Sequence, residues 1–141
     1  MNPETRKDSY RIINLAFIAI IISIITYSFI FSADGPKHPI PSGSAMLTGE
    51  ISASSGMSRS FSEIVRFNFR EAKLYNPYGP RIFSFFAIQL FLRIGAIFIA
   101  LQISLRYRQF LILADATLSI LIFILFFWPF MVLTAKQLYL H

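Results

Sequence analysis

The chain has 141 residues, of which 55% are hydrophobic, 16% aromatic and only 14% charged, and its mean hydropathy of +0.61 is that of a membrane protein rather than a soluble domain. It has no Cys and only two His, His38 and His141, neither with a neighbour at ligand spacing. Disulfides and thiolate sites are excluded, and His-based catalysis, a bound metal and a cofactor are not expected. A net charge of +6 in so apolar a chain points to anionic lipid headgroups as the partner, not to nucleic acid.

The first predicted element is a membrane span over residues 12–32. The stretch "IINLAFIAIIISIITYSFIF" runs 20 residues without a charge, which at the helical rise of about 1.5 Å per residue matches the ~30 Å of a bilayer core. It is too long for the apolar part of a secretory signal, so it reads as an uncleaved anchor. Along it, Ala16, Ala19, Ser23 and Thr26 recur at steps of three and four, a small-residue face on which helices approach closely in lipid, within the chain or with a partner. Asn14 is expected at the membrane interface.

Residues 33–81 form a loop followed by an amphipathic helix. "SADGPKHPIPSGSAM" reads as an irregular link. Ser52, Ser54, Ser55 and Ser58 have no elbow motif and only His38 as a base in the loop, so serine catalysis is not expected. "SFSE" then reads as a capping box that starts a helix at Ser60, with the Ser60 hydroxyl and the Glu63 carboxylate satisfying free amides. Phe61, Ile64, Val65 and Ala72 share one side, while Arg66, Arg70 and Lys73 lie on more polar ones and are assigned to lipid headgroups. "YNPYGP" ends the helix through Pro77 and Pro80.

The order "SASSGMSRSF" followed by "FNFREAKLYNP" resembles the signature of an uncharacterised bacterial membrane-protein family, the domain of unknown function numbered 2752. That signature runs Cys-Pro-x-Cys-Gly-x-Thr-Arg and closes in Ala-x-x-x-Asn-Pro. Gly56, Arg59, Ala72, Asn76 and Pro77 match it, Ser58 replaces its Thr, Ala53 stands at the Pro, and Ser52 and Ser55 replace both Cys. The resemblance covers roughly residues 50–80. It implies that Gly56, Arg59, Asn76 and Pro77 are structural, with Arg59 at the helix start and Asn76 and Pro77 at its end, and that thiol chemistry is dispensable here.

Two further spans follow, over residues 82–105 and 110–135, joined by "RYRQ" as an antiparallel helical hairpin. Arg93 lies near the middle of its span, where a charge costs roughly 2.5–3.5 kcal/mol. Gln89, Arg93, Ala96, Ala100 and Ser104 share one helix face, which should point at protein. Asp115 is the obvious counter-charge, although counting from the turn leaves an axial offset of about 9 Å. The pair supports two readings, a structural contact between helices or subunits and an ion or proton pathway. Tyr10 and Tyr107 are placed at one interface, and Tyr75, Tyr78 and Trp128 at the other.

Arg6, Lys7, Arg11, Arg106 and Arg108 on one side, against Lys37 and Lys136 on the other, place the N-terminus in the cytoplasm, although basic residues at 59–81 offset this bias. The expectation is an all-α integral membrane protein of the bacterial inner membrane, with three transmembrane helices and one amphipathic interfacial helix. Its expected role is a non-catalytic accessory or assembly subunit that binds other membrane subunits through Ala16, Ala19 and Ser23 and through Gln89, Arg93 and Ala96. The alternative is a minimal oligomeric transporter or ion-conducting protein that uses Arg93 and Asp115.

Overall fold

The computed structural model describes residues 3–31 and 54–139, without the side chains of 3–8, 105 and 137–139. These residues form five α-helices: α1 (Pro3–Ile30), α2 (Met57–Ile64), α3 (Phe69–Tyr75), α4 (Gly79–Gln102) and α5 (Arg108–Tyr139), with a 3-10 turn at Leu105–Tyr107 before α5. The fold is all-α, and three helices are long and apolar enough to cross a membrane: Ser9–Ile30, Gly79–Gln102 and Arg108–Lys136. Helix α4 lies between α1 and α5 and packs on both, while α2 and α3 pack on each other and against α4.

The second span starts and stops three residues earlier than expected, at 79 against 82 and at 102 against 105. Pro80 does not keep the chain out of a helix; it sits in the first turn of α4, where its missing N–H has no helical acceptor to lose. Pro129 lies inside α5 and removes the amide that would have bonded the Leu125 carbonyl four residues back. The guanidinium of Arg81, from the first turn of α4, donates to that carbonyl.

The amphipathic segment is two helices, not one. Arg66 N–H and Asn68 N–H both reach the Glu63 carbonyl, at 3.1 and 2.9 Å, and Phe67 N–H reaches that of Ile64 at 2.9 Å. With Phe67 at φ 64°, this is a Schellman-type stop. Helix α3 then leaves in a new direction. Nor is there a capping box. Helix α2 begins at Met57 with Gly56 as its N-cap and no side-chain capping bond, so Ser60 and Glu63 are interior and buried. The Ser60 hydroxyl has no hydrogen-bond partner among the described residues.

Two small cores position the rest. Phe61, Ile64, Ala72 and Ile82 bury the amphipathic face on α4, and Phe61 meets Phe83 and Phe86 edge-on at 5.3 and 6.1 Å between ring centres. Phe85 of α4 contacts Phe123 and Phe127 of α5 at 5.9 and 5.0 Å. Such offset ring pairs add about 0.5–1.5 kcal/mol each beyond their burial. Tyr10, Ala96 and Ala100 form the second core at the other end.

Candidate functional site

Arg93 and Asp115 pair directly, Nη1 to Oδ2 at 2.7 Å, with side chains only 9% exposed on each. Because α4 ends at Gln102 and α5 starts at Arg108, the axial offset is about 3 Å and not the ~9 Å expected. Nη1 also donates to the Asn14 amide oxygen at 3.0 Å, and Nε and Nη2 donate to Gln89 Oε1 at 3.4 and 3.2 Å. Nη2 further donates to the Ser119 hydroxyl, which in turn donates to the Asp115 carbonyl at 2.8 Å. A guanidinium has five N–H donors, so every one of them is engaged. Tyr10 donates to Asp115 Oδ2 at 2.9 Å, and the Phe17 ring lies 5.4 Å from the guanidinium carbon.

The knot thus joins all three spans: Tyr10, Asn14 and Phe17 from α1, Gln89 and Arg93 from α4, Asp115 and Ser119 from α5. Helical spacing explains the convergence, since each set recurs at three or four residues on one face. The pair was readable in the sequence, but its α1 partners were not. Asn14 is fully buried against the other helices, and Tyr10 is buried as well. The α1 face that meets α4 runs through Tyr10, Asn14, Ile21 and Ser28, all buried. Its polar members disguised it. The small-residue set Ala16, Ala19 and Ser23 is exposed.

Gln89, Arg93, Ala96 and Ala100 are buried within the chain, which removes that face as a docking surface for a partner. Arg66, assigned to lipid headgroups, also serves a helix end. Its Nη1 reaches the carbonyls of Ser28 and Ser62 at 3.3 and 2.7 Å, and Nη2 reaches that of Phe29 at 2.9 Å. Together with Ser62, which donates to the Phe31 carbonyl, it caps the C-terminal end of α1, where backbone carbonyls have no helical donor. Arg70 and Lys73 remain exposed on α3. Arg108, expected in the connecting turn, is buried and donates to the Ala100 carbonyl at 3.0 Å, capping α4 in the same way.

The matched positions Gly56, Arg59 and Asn76 of the cysteine-type signature sit together where the start of α2 meets the end of α3. Gly56 has φ 74°, and a Cβ there would lie 2.3 Å from the Tyr75 carbonyl oxygen. The Arg59 guanidinium lies 6.0 Å from the Tyr75 ring centre. Asn76 donates to the Ser55 carbonyl and accepts from the Tyr78 amide, both at 2.9 Å, bracing the α3–α4 corner ahead of Pro77. Ser52, Ala53, Lys37, His38 and His141 lie outside the described residues.

Beside α1 runs an open apolar groove of about 730 Å³, walled by Ala19, Ser23 and Ser28 of α1, Ser58 and Phe61 of α2, Phe86 of α4 and Phe127 of α5. Among the described residues no group of three or more metal-ligating side chains occurs. No family model matches the chain, and neither a curated protein nor a solved structure matches it.

Proposed function

We propose that the chain is a small non-catalytic subunit that assembles with or stabilises a larger protein complex of the bacterial inner membrane, its N-terminus in the cytoplasm. The observation that supports this reading is the saturation of Arg93. The charged pair in the middle of the spans is mutually neutralised, and the guanidinium is satisfied by Asn14, Gln89, Asp115 and Ser119. A buried cation so held is a fastener between helices and has no free donor with which to pass an ion or a proton.

The resemblance to the cysteine-motif family belongs to the same proposal. In it, Gly56, Arg59, Asn76 and Pro77 keep a corner of the fold, and the serines at the cysteine positions have no thiol function to perform. The surfaces left for a partner are the Ala16 edge of α1 and the outer side of α5, whose apolar stretch is nowhere buried within the chain. Purification in mild detergent tests the reading. A reproducible membrane partner at fixed ratio is the expected result, and a chain that migrates alone after gentle extraction rules it out. Liposome flux that depends on Arg93 and Asp115 would replace it with the conducting alternative.

A further inference from the structure

We infer that the groove beside α1 is a binding site for an anionic phospholipid, with an acyl chain along Ala19, Ser23, Phe61, Phe86 and Phe127 and the phosphate at the rim between Arg59 and Arg66. This does not rest on the subunit reading, and it assigns Ala19 and Ser23 to lipid rather than to a partner helix.

The groove is apolar along its length and open to the side. Its walls come from all three spans and from α2, so it runs alongside the region a bilayer would occupy. Space of that chemistry beside a membrane helix takes hydrocarbon. The rim is what selects the headgroup. Ser58 lines the groove, and the next residue is Arg59, exposed, with its guanidinium beside the Tyr75 ring. Ser28 also lines it, and its carbonyl is held by Arg66.

Neither guanidinium is neutralised among the described residues. The ion pair found there is Arg93 with Asp115, and the partners of Arg66 are carbonyls and a hydroxyl, which engage its N–H groups without cancelling its charge. Of the two carboxylates on the same segment, Glu63 is buried and accepts from Asn68 at 2.9 Å, and Glu71 lies on the exposed side of α3. Two cations, one next in sequence to Ser58 and one bonded to the Ser28 carbonyl of the groove wall, complement a phosphodiester joined to an acyl chain. A partner helix would fill the groove but would leave both charges unmatched.

The test uses the full chain in nanodiscs of equal amounts of phosphatidylglycerol and phosphatidylcholine, then native mass spectrometry after transfer to mild detergent. The expected result is retention of phosphatidylglycerol in preference to phosphatidylcholine. Arg59→Gln should lower that preference about fivefold, the effect of removing one basic residue near a lipid surface. Ser23→Phe, on an exposed face where Ser23 bonds the Ala19 carbonyl one turn back, should fill the groove and abolish retention. Thermal unfolding of both variants must match that of the unmodified chain, which separates loss of lipid from loss of fold. Equal retention of the two lipids, or full retention by folded Ser23→Phe, overturns the inference. So does a photo-crosslinker at Ile20 that captures a second copy or another protein in place of lipid.

Discussion

Arg93 meets Asp115 at 2.7 Å because the two stand nearly level, nine residues before the end of α4 and seven after the start of α5, an axial offset of about 3 Å. Because both side chains are almost fully enclosed, removing one leaves the other as an uncompensated charge. Arg93→Leu or Asp115→Leu alone should destabilise the bundle by about 3–5 kcal/mol, while the double replacement should cost much less. Denaturant titration of the two single variants and the double variant in detergent measures the difference. A loss in the double variant equal to the sum of the two single losses would mean that the two side chains do not act as a pair.

The Ser60 hydroxyl is buried inside α2 without a partner among the described residues. Ser60→Ala should therefore leave stability unchanged or raise it by about 1 kcal/mol, the desolvation cost of an unsatisfied hydroxyl. If Ser60 were the cap of this helix, the same change would lower stability by about 1 kcal/mol. Thermal melts of the variant decide by the sign alone.

Gly56 and Gly95 make opposite predictions for the same substitution. At Gly56 the backbone is left-handed and a methyl would lie 2.3 Å from the Tyr75 carbonyl oxygen, so Gly56→Ala should cost more than about 1 kcal/mol and loosen the contact between the start of α2 and the end of α3. At Gly95 nothing lies within 4 Å of an added Cβ, and Gly95→Ala should stabilise α4 by about 0.5–1 kcal/mol. Hydrogen exchange of α2 and α4 amides reports each helix separately.

Arg81 and Pro129 should be coupled. Pro129→Ala restores the amide that can bond the Leu125 carbonyl, which Arg81 otherwise serves. Arg81→Gln should therefore lower stability in the natural chain by about 1 kcal/mol and have little effect in the Pro129→Ala background. A double-mutant cycle on unfolding midpoints measures the coupling, and additive effects would mean that Arg81 does not serve that carbonyl.

The three spans were legible because a continuous apolar run of bilayer length can bury itself in little besides lipid, and the Arg93–Asp115 pair was legible because a charge inside such a run demands a partner. What escaped was local. The break between α2 and α3 occurs at a left-handed Phe67, where a glycine would have announced it. The roles of Asn14, Arg66 and Arg108 also escaped, because a side chain that serves another helix's backbone or charge has no signature in its own neighbourhood. Amphipathicity assigned Arg66 to headgroups and the charge count put Arg108 in a turn, yet both also hold carbonyls at a helix end.

The sequence separations within the polar knot carry a consequence for biosynthesis. Alone, α4 would present Arg93 to hydrocarbon at roughly 2.5–3.5 kcal/mol, and the carboxylate that relieves it lies 22 residues further on. Helices α4 and α5 therefore enter the bilayer most favourably as a single neutral unit. Asn14 and Tyr10 reach Arg93 and Asp115 across 79 and 105 residues, so α1 waits in the membrane until that unit arrives and docks last. A nascent chain halted before Asp115 is made should hold its second span poorly, because the last helix carries the charge that makes the middle one acceptable to lipid.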